Sequence, residues 1–370
     1  MPNRKTSLPP IYALFALLYV LSAVYAMSYF FQNSALGDAY PRTRFDAMVD
    51  GYAAKPFIYR QLVPILVRAV DRATPASVRL AANDWVEDVK NKPDYKELRL
   101  YMPWLNKTFP LKITHYKRLV ASIIIFASLL GYMAGIFALG RALFPHIPAI
   151  AFFAPVFAVV AFSSFGYQWQ YIYDIPCLFL STACFYFMYI RRFRLYFLMF
   201  FLACLNKETA IFSLVFFTIW FWDKMKDKEF ALLWVLQCLV YLVVKSSISI
   251  SYMNNGGFFL EQNAHLVLAR DLLAVANIDK IIVFAVLWFL FTYHWHEKTD
   301  FLKRTLWILP MLYIAYFFFG YPHEYRVFFD LHAPLVLLAT HTLVGATGLF
   351  KAPLLSALTF KKDASDATAS

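Results

Sequence analysis

The sequence predicts an all-α polytopic membrane protein, and three observations carry that expectation. Hydrophobic residues make up 61% of the chain and aromatic ones 19%. Mean hydropathy is +0.54, and the apolar residues fall in long runs separated by short charged clusters. A soluble domain carries only about 45–50% apolar residues, whereas runs of about 20 are what a helix needs to cross the hydrocarbon core.

Taken in order, the runs give about ten candidate spans, at residues 10–31, 118–143, 147–166, 174–190, 192–206, 209–222, 230–248, 280–295, 305–320 and 327–350. The first follows Arg4 and Lys5, as a secretory signal would. Its apolar core is too long for one and no small-x-small cleavage site follows, so it reads as a retained helix.

Stretch 192–222 could be one span or two, and the basic residues decide. With the N-terminus in the cytoplasm, alternation puts Arg191, Arg192, Arg194, Lys224, Lys226, Lys228, Lys298, Lys303 and Arg304 inside. The short outer connections then hold only Lys207, Arg270, Lys280 and Arg326, with Lys245 near a helix end. That is the positive-inside bias. A single long span would split Arg191–Arg194 from Lys224–Lys228. Two short helices joined at Asn206–Glu208 keep both clusters inside.

The net charge of +12 is spread between apolar runs and forms no single basic stripe. It therefore fits orientation in a bilayer and no nucleic-acid partner. Cys177, Cys184, Cys204 and Cys238 lie inside apolar runs without metal-ligand spacing, as small hydrophobes do.

Residues 1–350 thus form a single integral membrane domain, with both termini cytoplasmic and a polar, disordered tail over 351–370. Residues 32–117 are a long outer loop. Within it Phe57–Val70 predicts one amphipathic helix on the membrane surface, with Ile58, Leu62, Ile65, Leu66 and Ala69 on a shared face. A second outer connection, 249–279, begins with a flexible turn at Asn254–Gly257.

The polar residues worth singling out all fall outside on this topology. Asp38, Asp46 and Asp50 follow the first helix; each is either a turn former, a general base or a cation ligand. Arg60, after Tyr59 in PFIYRQLVP, either grips a phosphate or snorkels to headgroups. Asp174 follows Tyr173 in YDIP and either caps a helix or lines a site. Asn206, Lys207 and Glu208 join two short helices, where charges lie close to hydrocarbon and are functional candidates. His323, Glu324 and Arg326 open the last span, with Asp330 and His332 deeper in it. The two histidines have no strong zinc spacing, so no metal site is assigned.

These motifs together resemble the GT-C superfamily of polyprenyl-phosphate-sugar-dependent glycosyltransferases, in its bacterial members. The likeness rests on the acidic first outer loop, PFIYRQLVP, YDIP, LNKETA and HEYRVFFDLHAP, and covers residues 10–350. It implies an active site at the outer membrane boundary of a bacterial inner membrane, with interfacial helices in the first loop. It also implies a lipid-phosphate-linked sugar donor, an acceptor hydroxyl on a glycan, lipid or protein, and inversion at the sugar. The base role falls to Asp38 or Asp46. Neither an adjacent Asp-Asp pair nor a His-Glu start is present, so the choice of base and any divalent cation stay open. Arg60, Lys207 and Arg326 are assigned to the donor phosphate, with Tyr59, Tyr173, Asp174, Asn206, Glu208, His323 and Glu324 lining the site. A lipid-linked glycan polymerase or ligase, a transporter or flippase, and a membrane scaffold are the alternatives. The absence of an internal repeat and the one-sided polar residues count against transport.

Overall fold

The computed structural model describes residues 10–33, 42, 44–91, 115–165, 171–257, 266, 268, 278–320 and 324–348. Asp38, His323 and the tail over 351–370 lie outside the described residues. Among the described residues the regular elements are helical, and the one extended contact is an isolated bridge between Lys55 and Gly257.

In chain order the helices are α1 (Pro10–Asn33), α2 (Phe45–Asp50), α3 (Leu62–Ala73), α4 (Ala76–Asn91), α5 (Tyr116–Leu143), α6 (Pro148–Phe165) and α7 (Asp174–Tyr189). Then come α8 (Phe193–Asn206), α9 (Ile211–Phe221), α10 (Asp227–Ser251), α11 (Ile278–Thr292), α12 (Asp300–Thr305), α13 (Leu309–Phe319) and α14 (His332–Ala346). Apolar surroundings offer no water to the backbone, and a helix satisfies its own N–H and C=O groups.

Five segments are long and apolar enough to cross a membrane: Ala13–Phe31, Tyr116–Leu143, Asp227–Ser251, Asp300–Phe319 and Arg326–Ala346. Five shorter apolar helices, Pro148–Phe162, Asp174–Tyr189, Phe193–Asn206, Glu208–Phe221 and Ile282–Thr292, coincide with the remaining expected segments. This is the architecture of a helical membrane protein.

The centre of the bundle is α5 and α7, packed on each other, with α6 and α8 on either side. Gly131 of α5 permits the approach: a Cβ there would lie 2.8 Å from the Phe179 ring of α7. Small residues at such crossings let apolar helices close up in a bilayer. The last span is the most deeply enclosed of the five, with 72% of its apolar stretch inside the protein.

Segment 192–222 is two helices. Lys207 is extended (φ −153°, ψ 153°) and breaks the run after Asn206, and a 3-10 turn at Glu208–Ala210 leads into α9. Phe193 packs on Phe221, and Tyr196 on Phe217, so α9 runs back along α8. The Arg191 guanidinium donates to the Lys224 carbonyl at 3.3 Å, which brings the two basic clusters to one end. Asp174 begins α7 at the other end of this 16-residue helix, which is about 24 Å long at 1.5 Å per residue.

Two expectations are corrected. Phe57–Val70 is not one helix but a 3-10 turn at Phe57–Tyr59 followed by α3. The Arg60 backbone is non-helical (φ −98°, ψ 76°), and the Gln61 N–H donates to Leu205 on α8 at 2.8 Å. That tertiary bond, with Pro64 lacking a donor, moves the helix start. The protein-facing side is Leu62, Val63 and Val67, while Ile65, Leu66 and Val70 are exposed. The face expected to carry Ile65 and Leu66 is therefore an outward one, and an apolar outward stripe suits a surface helix.

The turn at Asn254–Gly257 is clasped to the first loop. Asn255 Nδ2 donates to the carbonyls of Gly51 and Ala53 at 3.0 and 2.9 Å, and the Lys55 N–H donates to Gly256 at 2.8 Å. Gly257 has φ +93°, and a Cβ there would lie 2.6 Å from the Lys55 carbonyl oxygen. Only glycine fits that turn without strain.

Candidate functional site

The 3-10 turn at Phe57–Tyr59 ends at Arg60, and Gln61 anchors the chain beyond it. The buried Gln61 side chain donates to Ile58 and accepts from Arg68 at 2.8 Å and from Tyr252 at 3.0 Å. Arg60 is thereby aimed at the start of α7. Its Nε lies 3.2 Å from Glu208 Oε2, one Nη donates to the Tyr173 hydroxyl, and Cζ lies 4.3 Å from the Tyr173 ring centre.

Opposite it stands Arg326, on the 3-10 turn Tyr325–Leu331 that precedes α14. Its guanidinium lies 3.5 Å from Asp174 Oδ2, donates to Glu324 Oε1 at 2.8 Å, and covers the Tyr171 ring at 4.1 Å. Tyr171 and Tyr173 themselves stack, with centroids 5.4 Å apart and planes within 13°. Asp174 makes that geometry possible: its Oδ2 accepts the Tyr171 N–H at 2.8 Å and closes the turn into α7. The helix-capping reading of Asp174 is corrected: Tyr173 holds the cap position with no side-chain cap bond, and Asp174, the first helical residue, braces the preceding turn and meets Arg326.

The remaining sequence candidates divide. Asn206 donates to the Tyr173 carbonyl at 2.9 Å, and the buried Lys207 donates to the Arg326 carbonyl at 3.3 Å. Tyr59 is buried in the apolar core behind the Arg60 turn. The structure thus brings Arg60, Tyr173, Asp174, Asn206, Lys207, Glu208, Glu324 and Arg326 into one connected cluster. Asp330, 7% exposed and facing Lys207, accepts from Cys177 at 3.5 Å, and its neighbour His332 bonds through Nδ1 with the Tyr132 hydroxyl.

Asp46 lies apart from these contacts. Its Oδ1 is 3.0 Å from His115 Nε2 and its Oδ2 is 3.3 Å from the Arg118 guanidinium. Burial holds the His115 pKa below its ordinary value, against the pull of Asp46. The pair opens on a cleft of about 470 Å³ lined by Asp71, Arg79, Asn83, Tyr116 and Lys117 as well. Asp50, more exposed, pairs with Lys117 at 2.8 Å.

Three participants were not assigned to the site from the sequence. Tyr171 opens the polar stretch Tyr171–Pro176 that contains YDIP, and its stacking on Tyr173 reveals its role. Tyr241 donates to the Glu208 carbonyl at 3.1 Å. Lys245, on the same face of α10 one turn on, carries a buried ammonium with no hydrogen-bond partner among the described residues. A lone cation in the apolar run of α10 was the available signal.

The cluster balances Arg60, Arg326, Lys207 and Lys245 against Asp174, Glu208, Glu324 and Asp330. Burying such groups costs desolvation that packing alone would not require. Among the described residues no three His, Cys, Asp or Glu side chains are placed to hold a metal ion. Compared with family models, with curated proteins and with solved structures, the chain matches none.

Proposed function

We propose that this protein is a ten-span, GT-C-like glycosyltransferase of a bacterial inner membrane. It would take a sugar from a polyprenyl-phosphate donor and pass it to an acceptor hydroxyl at the extracytoplasmic face. The observation that carries the reading is the Arg60–Tyr173 and Arg326–Tyr171 pairing. Two guanidiniums held near each other on one aromatic stack are a receptor for the oxygens of a phosphate.

In the transfer, the acceptor oxygen bonds to the anomeric carbon as the bond to the phosphate oxygen breaks. The electron pair leaves on the phosphate, which Arg60, Arg326 and Lys207 stabilise. The acceptor proton passes to a carboxylate, Asp38 or Asp46 in this reading. Asp46 stands apart from the arginine cluster, beside His115 and Arg118 on a cleft of its own. The adjoining cleft has room for an acceptor. Glu208 and Glu324, partly exposed at 30% and 18% for their side chains, are the acids able to swing aside for the donor.

The test is transfer from a radiolabelled polyprenyl-phosphate sugar to a panel of glycan, lipid and protein acceptors by the purified protein. Product formation that depends on Arg60 and Arg326 supports the reading. Product formation indifferent to both removes it. Transfer of a preassembled glycan in place of a single sugar would move the assignment to a polymerase or ligase.

A further inference from the structure

Lys245 and Glu208 are ionisable groups to which the transfer chemistry gives no bond-making task. Lys245 belongs to α10, whose Leu239, Leu242, Val243 and Ile250 side chains are exposed and in a bilayer would meet lipid. One stripe of that helix turns inward, at the spacing of one helical face. Tyr241 bonds to the Glu208 carbonyl, Val244 and Ile248 are buried, and Tyr252 bonds to Gln61. Within that stripe Lys245 carries a buried ammonium with no hydrogen-bond acceptor among the described residues. Glu208 is the acid on that side: Tyr241, one turn back, holds its carbonyl, and its carboxylate pairs with Arg60.

An ammonium without hydrogen bonds is costly in water-poor surroundings and points to function. Glu208 is complementary. Its Oε2 meets Arg60, while its buried Oε1 has no donor among the described residues. One carboxylate thus gives Arg60 a single oxygen and Lys245 none, and fills the bonding capacity of neither. A phosphate, with more acceptor oxygens and more charge, fills both.

We infer that Arg60 and Lys245 form a binding site for a lipid-borne phosphate entering beside α10, and that Glu208 occupies this site as an internal anion when no lipid is bound. The inference shares Arg60 with the proposed transfer site but requires only a lipid phosphate, whether of a polyprenyl chain or of a bilayer phospholipid.

The experiment uses the full chain in detergent, with polyprenyl phosphate and phosphatidylglycerol as separate probes and affinity read by native mass spectrometry. Charge-assisted bonds to such groups correspond to about tenfold in affinity. Lys245→Met should weaken binding by about that factor, Lys245→Arg should retain it, and Glu208→Gln should strengthen it, because the internal competitor loses its charge. A merely structural ion pair predicts no strengthening. Unchanged or weaker binding by Glu208→Gln overturns the inference, including where Lys245→Met fails to fold. A response with polyprenyl phosphate alone supports both the inference and the transferase reading. A response with phosphatidylglycerol alone supports the inference and removes the donor reading. Binding of neither lipid overturns the inference and leaves the transferase reading to the transfer assay.

Discussion

Arg60 and Arg326, from opposite ends of the chain, cover the two rings of a single tyrosine stack, Arg60 on Tyr173 at 4.3 Å and Arg326 on Tyr171 at 4.1 Å. Like charges held this way need carboxylates to offset them. Glu208 serves Arg60, while Asp174 and Glu324 serve Arg326.

The Arg60–Glu208 contact should register as coupling. Arg60→Ala leaves Glu208 without its partner, and Glu208→Gln relieves that defect. The double variant should be more stable than the sum of the singles by roughly 0.5–3 kcal/mol, the range for groups sharing one ion pair. Thermal unfolding of the four proteins in one detergent measures it, and strict additivity would contradict the contact.

The stack separates ring from hydroxyl. Tyr173→Phe keeps the face under Arg60 and removes only the hydroxyl acceptor, whereas Tyr173→Leu removes both. A cation over a desolvated ring contributes about 0.5–2 kcal/mol. The leucine variant should therefore lose donor affinity further than the phenylalanine variant, and equal losses would rule out a role for the ring.

Gly257 should prove intolerant of any side chain. Gly257→Ala places a Cβ against the Lys55 carbonyl at a positive φ, a strain of about 1–2 kcal/mol. Hydrogen exchange should then accelerate at the Lys55 and Arg60 amides, which donate to Gly256 and to Phe57. Protection unchanged from the parent would show that the clasp does not hold the Arg60 loop.

Lys298 supplies a pH dependence. It lies between α11 and α12, 2% exposed, and donates to the Leu338 carbonyl at 2.8 Å and the Thr342 hydroxyl at 2.9 Å. Burial lowers its pKa to about 8, against about 10.4 in an unfolded chain. Between those values the unfolded chain binds more protons, so this group makes stability rise with pH across that window. The penalty is in full force below about 8. Unfolding temperature measured from pH 8 to 10 should climb in the parent relative to Lys298→Met, and parallel profiles would contradict the shift.

Much of this was legible in the sequence. Apolar run length located the helices, and the flanking Arg191–Arg194 and Lys224–Lys228 clusters separated α8 from α9, because the cost of burying charge acts locally. YDIP and LNKETA marked residues that do meet. What escaped depends on partners far along the chain. Gln61 bonding to Leu205 breaks the amphipathic stretch after Tyr59, and no periodicity contains that bond. The Asn255 clasp reads as a loose turn until Gly51 and Ala53 are found opposite. Asp46 matched a loop motif, but spacing could not reveal its commitment to His115 and Arg118.

The central claim is that Arg60 and Arg326 hold the phosphate of a lipid-linked sugar. Its most direct test is the steady-state rate of sugar transfer from polyprenyl-phosphate donor by the parent and by Arg60→Lys and Arg326→Lys. Lysine keeps the charge but loses the planar fork and the stacking on tyrosine. The account predicts transfer by the parent and a fall in kcat/KM of about 100-fold for each variant, the scale of losing one transition-state donor. Transfer at parental rates by both variants, in protein of unchanged unfolding temperature, would contradict it.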